Sequence, residues 1–339
     1  MSERRKSMMV LTIVVLCATQ AFAQINVRGY RLVYSSETAE RAASLLDLDE
    51  EALANCTGDF VDRESLERHW RYSPKATSTW NKRMGTTDEE RARVHRPQEG
   101  HLHMLAVSTD GTADGFVTSG VEMKQGYRYG IFEVKAKCLP HQSNFPAVWM
   151  MPVDQSDGWP NCGEIDIMEQ IGTSSTVWST VHLGARYDKP VGKTYTYSGN
   201  LSASSDWHVY SLRWDKLSLT FYCDGRQVFR YAKDATLDLA AHPDYEKWQF
   251  PYNKAYYIIL DQALGMNTWW DSEAPDPSFT YEMDVEYVRI WQNSDSDEPD
   301  IVSSPTPSAS DGHRKVWRDG RLVIRKGYEE YTLAGTRLK

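Results

Sequence analysis

Between Tyr210 and Tyr231 the chain alternates large apolar with smaller or polar side chains at a period of two. Tyr210, Leu212 and Trp214 form one such run, and Leu217, Leu219 and Phe221 form the next. A period of two is the signature of strands with one buried face. Asp224-Gly225 then precedes Val228-Phe229-Arg230-Tyr231, which reads as a two-residue hairpin turn and its returning strand. From Phe60 to Trp291 short strands of this kind dominate and no stretch carries a helical period of any length. A short helix is expected only near the start, over Glu37 to Leu46. About 235 residues of this pattern make one all-β domain, spanning 57–293.

The run Glu164-Ile165-Asp166-Ile167-Met168-Glu169 sets three carboxylates on an otherwise apolar strand. Solvent-facing acids need no explanation, but acids set among Ile and Met must be held there for a reason. Two other triplets share the spacing, Asp271, Glu273, Asp276 and Asp295, Asp297, Asp300, yet both sit among Pro and Ser, where no buried strand forms. In a regular strand Glu164 and Asp166 share a face and Glu169 points the opposite way. A β-bulge absorbs one residue and returns Glu169 to the common face. Glu164 and Glu169 are then about four strand steps apart, roughly 13 Å between Cα atoms. Two inward-leaning side chains can close that to the ~5–5.5 Å that retaining glycoside hydrolysis requires.

Trp159-Pro160-Asn161-Cys162-Gly163-Glu164-Ile165-Asp166-Ile167-Met168-Glu169 resembles the signature of glycoside hydrolase family 16, in particular its laminarinase-like β-glucanase branch. Tyr129-Gly130-Ile131-Phe132-Glu133-Val134-Lys135-Ala136-Lys137, Phe145-Pro146-Ala147-Val148-Trp149-Met150 and Tyr287-Val288-Arg289-Ile290-Trp291 are similar to further family strands. The segment Leu260 to Asn267 departs from the family's glycine-rich loop. The resemblance implies a β-jelly-roll sandwich of two antiparallel sheets with a concave glycan-binding cleft. It also implies Glu164 as nucleophile, Glu169 as general acid/base and Asp166 as the residue that orients and polarises them. Asp166 lies between the two, so its charge favours a protonated Glu169 while Glu164 stays ionised.

Around the acids the resemblance implies further substrate contacts. Trp159 is a sugar platform, Trp149 lies between cleft and core, and His182 hydrogen-bonds within the acid cluster; a lone His is otherwise more often structural. Trp269, in a loop before Pro275, is placed to stack on a distal sugar. No cofactor is required, and a structural calcium near Asp284 or Glu286 is allowed. The expected activity is endo-acting, retaining hydrolysis of β-1,3- or mixed β-1,3/1,4-glucan. Two alternatives stay open: the same chemistry on β-galactan or host O-glycan chains, and a carbohydrate-binding sandwich without turnover.

The rest of the chain fits an exported enzyme. Arg4, Arg5 and Lys6 precede an apolar run and Ala21-Phe22-Ala23, a signal peptide over 1–23 with cleavage near Ala23. That run is too short to span a bilayer, so no transmembrane segment is expected. Residues 24–56 read as a leader or capping segment, 294–312 as a disordered Ser/Pro-rich acidic linker, and 313–339 as a basic tail resembling bacterial sorting signals. A net charge of −9 argues against nucleic acid as a partner. A polysaccharide is the expected partner of a monomer. Cys56, Cys138, Cys162 and Cys223 allow three disulfide pairings, and no Cys/His spacing reads as a zinc site.

Overall fold

The computed structural model describes residues 25–293 except 78–79, 185–194, 203–205, 235, 237, 239, 244 and 266–273, together with the backbone of a few short strands beyond 293. The expected signal peptide, most of the linker and Trp269 lie outside the described residues.

Two antiparallel sheets stack face to face as a β-jelly-roll sandwich. One sheet runs in the order Tyr195–Ser202, Thr176–Leu183, Glu164–Gln170, Asn144–Pro152, Tyr256–Leu264, Ser119–Met123, Trp70–Tyr72. The other runs Arg226–Ala232, Ser218–Cys223, His208–Trp214, Gly130–Cys138, Tyr281–Asn293, His101–Ser108, His95–Gln98. Alternation along each strand builds the core between them. Val148, Met150, Ile165, Val181, Ile258 and Leu260 face inward from the first sheet, Phe132, Val134, Leu212, Val288 and Ile290 from the second, all fully buried. Trp214 and Tyr256 meet edge-to-face across the gap at 5.3 Å, a favoured aromatic geometry.

The expected hairpin is present. Asp224 and Gly225 take φ +50° and +72°, and two positive φ values in a two-residue turn give the twist that the flanking strands need. The returning strand is Arg226–Ala232, longer than Val228–Tyr231. The expected N-terminal helix forms as Ala39–Leu45, capped by Thr38, whose side chain accepts from the Arg41 N–H. Two more seven-residue helices, Arg63–His69 and Asp88–Val94, interrupt the strands. They owe their existence to caps rather than to periodicity: Asp62 accepts from Ser65 N, and Thr87 with Glu90 makes a full capping box.

The 24–56 segment is woven into the sandwich. Tyr30–Ser35 pairs with the second half of Tyr281–Asn293, whose first half pairs with His101–Ser108. Behind it, buried Glu37 takes the Arg289 guanidinium on both oxygens, at 2.7 and 3.0 Å, a planar two-bond fit that only Arg offers. The tail forms a four-stranded antiparallel sheet from His313–Arg318 to Arg337–Leu338. No helix among the described residues is long and apolar enough to cross a membrane.

Candidate active site

The acid-bearing strand Glu164–Gln170 lies in the middle of the first sheet, and its pairing decides which way each acid points. Against Thr176–Leu183, Glu164 faces His182, Asp166 faces Thr180 and Glu169 faces Trp178. The partners fall two apart while the acids are two and then three apart, so one extra residue is absorbed between Asp166 and Glu169. The other neighbour agrees: Asp166 pairs with Trp149 and Glu169 with Ala147. The expected bulge is therefore present, and it puts Glu164, Asp166 and Glu169 on one face.

A bulge leaves a backbone group out of the ladder, and a buried carbonyl must find another donor. Here the Ser179 hydroxyl donates to the carbonyl of Ile167 at 2.8 Å. That bond comes from the neighbouring strand and fixes the kink where it is needed. The strand's start is fixed by Gly163, at φ +85°. A Cβ there would come within 2.4 Å of the Tyr256 hydroxyl, which itself donates to the Cys162 carbonyl at 3.0 Å. Tyr252 donates to the His182 carbonyl at 2.9 Å, so two buried tyrosines clamp the ends of two adjacent strands.

All three acids are buried, at 5 %, 1 % and 8 % exposure, which is costly unless each is held by partners. The indole Nε1–H of Trp159 donates to Glu164 Oε2 and so sets the rotation of that carboxylate. His182 Nε2 lies 3.1 Å from Asp166 Oδ2. Its Nδ1 lies 3.0 Å from the Thr196 hydroxyl. One donor atom from each of Glu164, Asp166 and His182 falls within 4.8 Å of the others.

The aromatic expectations resolve by register. Trp149 sits opposite Asp166, on the acid face rather than the core face. Its Nε1 has no hydrogen-bond partner among the described residues, leaving a donor at the cleft floor. Trp159 is partly buried, its ring tilted 6.0 Å from that of His182. Trp269 is outside the described residues. Glu286 is claimed by two cations, Lys135 at 2.6 Å and Arg41 at 2.5 Å; burial opposes its ionisation, but these partners hold its carboxyl below the usual range. That leaves it a poor calcium ligand.

Four further residues were not singled out from sequence. Trp80 packs edge-on against Trp149 at 4.9 Å; a Trp in an otherwise polar loop was its only signal. Asp261 is next to Ala147 across the ladder, on the row that carries Glu169. Arg71 and Glu122 are paired at 2.8 Å through the guanidinium Nε, and Arg71 stacks over Tyr257 at 5.5 Å. Burial raises the Glu122 carboxyl against the pull of Arg71. The four cysteines are free thiols.

A jelly-roll sandwich that gathers three buried carboxylates with two indoles beside them has the layout of a carbohydrate-cleaving enzyme. The profile of Glycosyl hydrolases family 16 matches residues 75–253, more than half of the chain, and the chain belongs to that family. It is 28 % identical over 230 residues to a keratan-sulfate endo-1,4-beta-galactosidase of Sphingobacterium multivorum, covering 66 % of this chain and 51 % of that protein. It is 31 % identical over 204 residues to a beta-glucanase of Rhodothermus marinus, covering 58 % and 65 %. The chain thus spans about half to two thirds of the length of these relatives. A non-specific endo-beta-1,3(4)-glucanase from family 16 superposes with TM-score 0.57 at 24 % identity, over 79 % of this chain and 96 % of that one, a likeness of fold. A structure from work on endo-acting O-glycanases of the human gut microbiota superposes with TM-score 0.54 at 27 % identity, over 66 % and 91 %. Glycosidases of this family generally need no cofactor.

Proposed function

We propose that the chain is an endo-acting, retaining β-glycosidase that hydrolyses β-1,3- or mixed β-1,3/1,4-glucan. The bulge carries this reading, because without it Glu169 would point into the core. Glu164, oriented by the Trp159 indole, attacks the anomeric carbon while Glu169 protonates the departing glycosidic oxygen. In the second step Glu169 takes a proton from water, which displaces Glu164 and restores both groups. Asp166, beside His182, which itself contacts Thr196, orients and polarises the pair. Trp149, Trp159 and Trp269, the last outside the described residues, serve as sugar contacts.

The β-galactan and O-glycan alternative has its own support in the keratan-sulfate endo-1,4-beta-galactosidase relative and the O-glycanase likeness. Digestion of a panel of laminarin, lichenan, keratan sulfate and mucin O-glycans, with products sized by mass spectrometry, separates the two. Cleavage of galactosyl linkages with laminarin and lichenan untouched would overturn the glucan assignment, and absence of turnover on every glycan would leave only the binding sandwich. The same proposal takes the chain as exported after cleavage near Ala23, on the strength of its N-terminal charge and apolar run, and as a monomer.

A further inference from the structure

The face of the sandwich opposite the acids carries a second cluster of chemistry-bearing side chains. In the strand His101–Ser108, Leu102 and Met104 are fully buried in the core, so His101 and His103 stand on the outer face. The adjoining strand alternates likewise: Met283 and Val285 are buried, and Glu282 and Asp284 point out. Asp284 is directly across from His103. The cluster therefore joins strands far apart in sequence, 183 residues between His101 and Asp284.

We propose that His101, His103, Asp284 and Glu282 form a transition-metal site, with zinc as its ion. His101 Nδ1 lies 3.1 Å from Asp284 Oδ1, and His103 Nδ1 lies 3.8 Å from Asp284 Oδ2 and 2.7 Å from Glu282 Oε1. A tetrahedral ion with ligands at about 2.0–2.1 Å spaces them about 3.3 Å apart. The observed spacings bracket that edge, so small side-chain rotations seat the ion. The two imidazoles lie nearly parallel, 19° apart with centroids at 5.9 Å, both presenting Nδ1 to the same carboxylate. Ordinary His–carboxylate pairs need only one acid each, whereas here a single carboxylate reaches both rings and a second closes the set.

The donor chemistry selects the metal. Two imidazole nitrogens with two carboxylates suit zinc, while calcium takes six or more oxygens. Trp207 closes one flank, its ring edge-on to His101 at 5.3 Å, and Lys137 and Lys135 lie over that indole at 5.1 and 5.7 Å. Lys135 spends its charge on Glu286 at 2.6 Å. Both histidine side chains keep about a quarter of their surface exposed, at 26 % and 24 %, which gives the ion a way in. The neighbouring group of His208, Cys223 and Asp224 is less suited: burial, then Asp224, pushes the Cys223 thiol up to about 12, away from the thiolate a metal needs. The ion staples a late strand to an early one on the sheet away from the acids, so it stabilises the fold and takes no part in turnover.

Titration of the purified metal-free chain with zinc chloride in a calorimeter tests the site. One equivalent of zinc is expected to bind, to raise the unfolding temperature, and to leave laminarin hydrolysis unchanged. If the free energy of a structural zinc site is shared by four ligands, losing one costs about a hundredfold in affinity. His103→Gln and Asp284→Asn are expected to lose about that, while His208→Gln binds as the parent does. In the unmodified chain, zinc is expected to protect His101 and His103, but not His208, from diethyl pyrocarbonate, read residue by residue in a mass spectrometer. No stoichiometric binding, equal binding in the His103→Gln and Asp284→Asn proteins, or protection confined to His208 or His182 overturns the proposal.

Discussion

Removing one hydroxyl, in Ser179→Ala, isolates the device that gathers the acids. Ser179 is 3 % exposed and its Oγ–H is the donor that satisfies the bulge carbonyl of Ile167. Alanine leaves that carbonyl buried without its partner, which costs about 1–3 kcal/mol. For a domain of this size each kcal/mol moves the unfolding midpoint by about 2–4 °C, so a fall of roughly 2–12 °C is expected. Ser211→Ala is the matched control. It is fully buried too, but its Oγ has no partner among the described residues, so its loss strands nothing and stability should hold or rise.

Activity supplies the second readout. A bulge freed from Ser179 lets Glu169 wander from its post while Glu164, two pairs away, stays fixed by Trp159. The Ser179→Ala protein, assayed at a temperature where it is fully folded, should therefore lose more kcat on laminarin than on an aryl glycoside whose leaving group needs little protonation. Thermal melts by circular dichroism and initial rates on both substrates are sufficient. Equal destabilisation by the two serine substitutions, or equal rate losses on the two substrates, would refute the idea that this bond holds the proton donor.

Glu164→Ala should abolish hydrolysis with glycan binding retained, and azide should restore part of the turnover as a glycosyl azide of inverted configuration, detectable by NMR. Glu169→Gln should hurt polysaccharide far more than activated aryl glycosides, and comparable losses on both would remove Glu169 from its role. Trp159→Phe keeps an aromatic ring but deletes the N–H that Glu164 accepts, so kcat should fall about tenfold or more while KM moves little, as expected for losing a bond worth about 1.5–3 kcal/mol to a charged group. His95 sets a pH limit on the fold. Burial drives its imidazole down to about 4, against about 6.5 when unfolded. The unfolded chain thus binds the extra proton first, and stability present above pH 6.5 is lost as pH falls towards 4, by about 3 kcal/mol at most. Urea titrations across that range should show a shallower slope for His95→Gln, and an unchanged slope would exclude His95 as the group responsible.

How far the sequence exposes this molecule depends on whether the signal is local. The hairpin at Asp224-Gly225 was legible because φ values of +50° and +72° at adjacent residues need that residue pair. The bulge was legible for a similar reason: three acids among Ile and Met at offsets two and three are tolerable in a strand only if one residue is squeezed out. Helices Arg63–His69 and Asp88–Val94 escaped notice because seven residues hold too few turns to show a period, and only the caps at Asp62 and Thr87 announce them. Contacts between distant segments left no local trace at all. Arg71 meets Glu122 across 51 residues and Arg289 meets Glu37 across 252, and nothing within either neighbourhood names the partner. The same limit explains why spacing showed no metal site. His101 and His103 form a His-x-His pair that is unremarked in the chain, and it becomes a candidate only when the sheet lays Asp284 beside it. If zinc binds there, the general consequence is that antiparallel sheets assemble ligand sets by register, two residues from each strand, so metal sites of this kind should be sought among strand pairs rather than along the sequence.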